Sequence, residues 1–182
     1  MCDPHSKTYS NLVRYAEGIA RAVGIKFGMA HVELKSVFNE ERGKYIEPVM
    51  IEVGARLAGG KKAIMASKTV PGWCPFDAML DAHCGFPIQV PPSFSPEKHA
   101  KHVYIPSKKV GTVKTINGAD FERLETYDSH IMLCEPGTKV SVSTDIYSFA
   151  GFVWLVGKYE DVERDARLAR DEFSVEVEEA EQ

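Results

Sequence analysis

The sequence predicts an α+β fold: an antiparallel sheet with packed helices, followed by a small β-rich C-terminal subdomain with a terminal helix. Three observations carry that expectation. Two short strand-like runs, Ala30–Lys35 and Pro48–Gly54, flank a polar excursion containing Asn39, Glu40, Glu41, Arg42, Gly43 and Lys44. Apolar residues recur at helical spacing before them and again near the C-terminus. Between lies a proline-rich stretch, Phe86–Glu97, which separates residues 1–85 from residues 98–182.

In chain order, residues 1–9 are polar and read as loose. Ser10 suits the cap of a helix to about Val23, with Leu12, Tyr15, Ala16, Ile19 and Val23 on one stripe and Gly24 as its stop. Side chains alternate along a strand, so His31, Glu33 and Lys35 share one face, as do Met50, Glu52 and Gly54. A hairpin with Glu33 opposite Glu52 sets His31 against Gly54 and Lys35 against Met50. Opposed glutamates have Cβ atoms ~5 Å apart. At that separation and an effective dielectric of ~20 their repulsion is about 3 kcal/mol. A divalent cation between them relieves it, and hard carboxylate oxygens suit Mg²⁺. Arg56 and the pair Gly59–Gly60 follow, then a helix-compatible run, Lys61–Thr69. Backbone N–H groups at such a helix start receive an anion. The Walker A pattern is excluded, because Ala55 stands where a glycine is needed and Lys62 where Ser or Thr is needed.

Pro71-Gly72 breaks the chain, and Pro75 opens another helix to about His83, ended by Gly85. Past the proline-rich stretch, His102–Ile105, Lys109–Ile116, His130–Cys134, Lys139–Val142 and Ala150–Val156 have the length and composition of strands. Asn117-Gly118 and Pro136-Gly137 mark turns, and Asp120–Glu125 a short helix. Tyr159–Phe173 is a longer helix, with Val162, Ala166, Ala169 and Phe173 at helical spacing. The acidic tail, Ser174–Gln182, reads as frayed.

The motif pair HVELK and PVMIEVGARLAGG resembles the C-terminal half of the ATP-grasp fold. It is most similar to carboxylate–amine ligases of the L-amino-acid ligase and carnosine synthase group, and the likeness runs on more weakly to about Asp171. The resemblance implies that Glu33 and Glu52 hold two Mg²⁺ ions, or Mn²⁺ in their place, bridging the phosphates of ATP. It assigns Arg56 to phosphate and the reacting carboxylate, and Gly59, with Gly60, to the transferring group. Many ATP-grasp enzymes carry Glu-x-Asn-x-Arg on the second strand, the Asn being a further Mg²⁺ ligand; Gly54 stands there in this chain. The implied reaction is ADP-forming ligation of a small carboxylate to an amine through an acyl phosphate. A complete enzyme of this kind has a further ATP-grasp half and an N-terminal domain, which the 182 residues do not show. The expectation is therefore a partial ligase, joined by a missing N-terminal half or by homo-oligomerisation. The alternative is a non-catalytic remnant serving as a binding or assembly module.

Composition narrows the classes. A net charge of −4 argues against a nucleic-acid partner. No apolar run approaches the ~20 residues of a membrane span, and the N-terminus lacks the pattern of a secretion signal. Cys2, Cys74, Cys84 and Cys134 are scattered, which fits reduced thiols and a cytoplasmic setting. His99-x-x-His102 lacks the further ligands of a zinc site. Cys84 reads as a small buried apolar residue. Trp73 and Phe76 read as core residues, or as the lining of a substrate pocket.

Overall fold

A computed structural model describes residues 7–45, 48–88 and 98–178. The chain divides into two compact units, Met1–Ser95 and Pro96–Gln182. Most of the predicted linker, residues 89–97, lies outside the described residues.

In the first unit, helix α1 spans Lys7–Ala22. It starts three residues before the expected cap, so Ser10 lies within it; once nucleated, a helix gains a hydrogen bond for each residue added. Strand β1 (His31–Lys35) is followed by a two-residue hairpin, β2 (Phe38–Asn39) with β3 (Lys44–Tyr45), inside the polar excursion. Strand β4 (Val49–Gly54) returns antiparallel to β1. The register sets His31 against Gly54 and Glu33 against Glu52, as parity predicts, and then slips by one. Leu34 faces Met50, and Lys35 faces Val49 rather than Met50. Ile51 is the inserted residue of a β-bulge, which bends the strand next to the paired glutamates. Helices α2 (Lys62–Thr69) and α3 (Pro75–Cys84) pack on each other. Pro75 occupies the first turn of α3, and Gly85 ends it in a left-handed cap at φ 77°. Cys84 is exposed at that end, correcting its expected burial, and Phe76 is exposed as well.

The second unit owns the main core. Strands β5 (His99–Pro106), β6 (Gly111–Asn117), β7 (Tyr127–Met132), β8 (Lys139–Val140) and β9 (Phe149–Gly157) precede helix α4 (Tyr159–Asp171) and strand β10 (Ser174–Glu178). They form two antiparallel three-stranded sheets, ordered β5-β9-β7 and β10-β6-β8. Val103, Ile105, Val153 and Leu155 face the core together with Val162, Ala166 and Ala169 of α4 and Phe121. The expected helix at 120–125 is a single 3-10 turn, Phe121–Arg123.

Residues 174–178 of the acidic tail, expected to fray, pair with β6 instead. Alternation explains the difference: Val175 is buried and Val177 half-buried, while Glu176 and Glu178 face water. Asp165 ties α4 to the start of β7, accepting 2.9 Å hydrogen bonds from the N–H and hydroxyl of Thr126. Arg164 Nε donates to its other oxygen, also at 2.9 Å. Gly118, at φ +68°, closes the β6 end, where a Cβ would strike the carbonyl of Glu172.

Candidate functional site

The bulged β1–β4 hairpin brings three of the predicted site residues together. Glu33 and Glu52 are direct register partners, so their side chains leave the same face of the pair. Arg56 joins them through a tight turn in which its own N–H donates to the Gly54 carbonyl at 2.9 Å. The turn folds the arginine back over Gly54, where a Cβ would lie 3.3 Å from Arg56 Nε and 3.4 Å from its Cγ. The bare glycine is what leaves room for that stem. The guanidinium then reaches Glu52 Oε1 from Nη2 at 3.3 Å and donates from Nη1 to the Leu57 carbonyl at 3.1 Å. Glu52 and Arg56 are both about half-exposed, so the pair serves geometry more than stability.

His31 completes the face, a member that parity indicates and that the motif comparison leaves without a role. Its side chain is only 17% exposed, and Nε2 stands 3.8 Å from Glu33 Oε1. Its Nδ1 is buried with no hydrogen-bond partner among the described residues. A buried polar atom left in this way costs about 1–3 kcal/mol, so a ligand contact or an ordered water there would be favourable.

Gly59 and Gly60 lie in the turn after Leu57 that enters α2. Gly60 has φ 65°, and Lys61 keeps the left-handed conformation at φ 60° as the residue that starts the helix, giving no side-chain cap. The first turn of α2 holds no acidic residue. Its N–H groups therefore combine with the helix dipole to favour an anion.

Among the described residues, no group of three or more His, Cys, Asp or Glu side chains is arranged to hold a metal ion. Two facing carboxylates are nonetheless a donor set that suits Mg²⁺, which binds through one or two carboxylates and completes its shell with water and phosphate oxygens. His99 and His102 do not form a metal pair. The ring of His99 meets Tyr159 edge-on at 5.0 Å, while His102 stacks on Trp154 at 4.8 Å. Three residues apart on one strand, they face opposite sides of the sheet. No helix among the described residues is long and apolar enough to cross a membrane.

Two solved structures share the architecture. The crystal structure of L-amino acid ligase from Bacillus licheniformis matches with a TM-score of 0.78 at 23% identity, over 98% of this chain and 43% of that one. The crystal structure of phosphoribosylglycinamide synthetase from Anaerococcus prevotii matches with a TM-score of 0.66 at 10% identity, over 93% of this chain and 43% of that one. This chain thus spans less than half the length of either. No family model and no curated protein matches it by sequence. The fold, antiparallel sheets with packed helices, is the α+β class that the sequence leads one to expect, and it is shared with part of each of these two structures.

Proposed function

We propose that the chain is the metal- and phosphate-binding part of an ATP-dependent, ADP-forming carboxylate–amine ligase. The observation that carries the reading is the direct pairing of Glu33 with Glu52, with Arg56 held against Glu52. In the proposed reaction a carboxylate oxygen attacks the γ-phosphorus of ATP, and the bond to the β-bridging oxygen breaks to release ADP. An amine then adds to the carbonyl of the acyl phosphate, expels phosphate and gives up its proton to form the amide.

Glu33 and Glu52 would hold Mg²⁺, as two ions in the full site, with Mn²⁺ serving in its place. A divalent cation there neutralises the charge that builds on the transferring phosphoryl group. Arg56 presents a planar fork to a phosphate or carboxylate oxygen, which lysine does poorly. The N–H groups about Gly59 and Gly60 stabilise negative oxygen as it develops. His31 packs beside Glu33 and limits its swing. The 182 residues alone would bind Mg²⁺–ATP weakly and turn over negligibly, since they match only 43% of the ligase they resemble. The scattered free thiols, Cys74, Cys84 and Cys134, fit a cytoplasmic setting.

The second reading, a non-catalytic remnant that acts as a binding or assembly module, is favoured by Gly54 at the third-ligand position. Calorimetric titration of Mg²⁺–ATP into the wild type and Glu52→Gln separates the two. Weak binding that disappears in the variant supports the ligase site; identical curves, or no heat in either, favour the remnant.

A further inference from the structure

Residues 23–29, between α1 and β1, form with helix α3 a cleft of about 400 Å³, near the lower end of the range of ligand pockets. Ile25, Met29 and Met79 are half-buried along it, while Val23 and Phe27 line it at 55% and 64% exposure. Apolar surface left open around a concavity is what an apolar guest covers. The ring of Phe27 meets that of His83 edge-on at 5.2 Å. Gly28, at φ +86°, lets the loop lie this close to α3: a Cβ there would stand 3.3 Å from His83 Nε2 and 3.6 Å from Met79 Sδ.

The polar groups of the lining set the kind of guest. The Met29 N–H donates to Met79 Sδ at 3.2 Å, and a thioether is a weak acceptor that an oxygen would improve on. Met79 is unbranched and can turn its sulfur aside. The chain carries more acidic than basic residues, yet among the described residues Lys26 and His83 line the cleft and no Asp or Glu does. The helix ends that frame it oppose an anion only weakly, because the carbonyls of Ile19, Ala20, Arg21 and Asp81 already accept N–H groups. We propose that this cleft binds a small aromatic monocarboxylate. The ring lies among Phe27 and the methionines, one carboxylate oxygen takes the Met29 N–H, and Lys26 balances the charge. An α-amino acid fits worse, since its ammonium meets no carboxylate there. Glu33, Glu52, Arg56 and Gly59 do not line the cleft, so the proposal stands apart from the ligase reading and needs neither nucleotide nor cation. Ala55 does line it and precedes Arg56, so an occupant borders the turn that carries the guanidinium.

The test titrates phenylacetate into the 182-residue chain, without ATP or divalent cations, and follows backbone amides and methionine methyls by NMR. Saturable shifts centred on Gly28, Met29 and Met79 are expected, with equal affinity in Glu52→Gln. Phenylacetamide, which lacks the charge, should bind about fivefold more weakly, as should phenylacetate to Lys26→Gln. Phenylalanine should bind at least roughly tenfold more weakly, because its ammonium is desolvated without a partner. Met79→Trp fills the cleft and should abolish the shifts with the far-UV circular dichroism unchanged, whereas Lys108→Gln, in the second unit, should change nothing. No saturable shift up to roughly 10 mM, or shifts centred outside the cleft, overturns the proposal. Equal affinity for phenylacetate and phenylacetamide overturns it as well, since the carboxylate is then not read. If phenylacetate binds and Mg²⁺–ATP does not, the cleft stands and the ligase reading fails. If Mg²⁺–ATP binds and phenylacetate does not, the ligase reading stands and the cleft fails.

Discussion

Gly54 offers the sharpest handle on the site. It lies two residues from Glu52 on the same face of β4, opposite His31, at the position where an asparagine would add a third oxygen ligand. In Gly54→Asn the three atoms nearest the new Cβ all belong to Arg56, at 3.3 Å for Nε, 3.4 Å for Cγ and 3.8 Å for Cδ. Those atoms belong to a flexible, half-exposed side chain, so the arginine swings aside rather than the strand deforming. Losing an ion pair of this exposure costs about 0.2–1 kcal/mol. The same loss frees Glu52 for a cation, and the amide oxygen adds a donor beside it. Changes to groups that support a metal site typically alter affinity 10–100-fold, so a gain of about tenfold, or ~1.4 kcal/mol, is expected for Mg²⁺ or Mn²⁺. Gly54→Ala separates the two contributions, since it displaces Arg56 without supplying oxygen and should gain less than about fivefold. Calorimetric titration of MnCl₂ into the three proteins measures both. Unchanged or weaker binding in a folded Gly54→Asn protein would refute the placement of the cation beside Glu52.

Two further outcomes concern the second unit. Asp165→Ala strands the N–H and hydroxyl of Thr126 in the core at a cost of about 3 kcal/mol, lowering the unit's thermal midpoint in the full chain by more than roughly 10 °C. Burial alone would raise the Asp165 pKa, but the hydrogen bonds from Thr126 and Arg164 outweigh it and hold the carboxyl below its ordinary range. The carboxylate's contribution is therefore complete above the unfolded value of about 4 and fades as pH falls through the folded one. The gap in midpoint between wild type and Asp165→Asn should accordingly narrow as pH falls below the unfolded value of about 4, and an unchanged gap would contradict the assignment. Deleting Ser174–Gln182 removes β10 and uncovers the core beside Val175, so calorimetry should show a lowered midpoint; an unaffected one would mean the tail contributes nothing.

The legible parts of this fold are those governed by simple periods. The 3.6-residue stripe marks α4, Pro75 and Gly85 bracket α3, and the two-residue alternation places Glu33 opposite Glu52. What escapes depends on tertiary pairing. The bulge at Ile51 has no sequence marker, because any residue can occupy the inserted position, and it moves Lys35 from Met50 to Val49. The tail does carry a strand signal in Ser174-Val175-Glu176-Val177-Glu178, but its acidity masks the alternation, and only the pairing with β6 makes it a strand. At the site, Arg56 is visible as a residue type. Its path back over Gly54 is not, since that depends on a turn whose hydrogen bond joins backbone atoms only. Cys84 is misplaced by sequence because an average tendency of cysteine stands in for its exposed position at the end of α3.

The central claim is that Glu33 and Glu52 form one divalent-cation site. Paramagnetic broadening of the amide spectrum by substoichiometric Mn²⁺ tests it most directly, because it reports where the ion sits rather than what it does. Broadening centred on Glu33, Glu52 and Gly54, and abolished in the double variant Glu33→Gln, Glu52→Gln, is the predicted result. Broadening centred on other acidic residues, or spread evenly over the surface, would contradict the account.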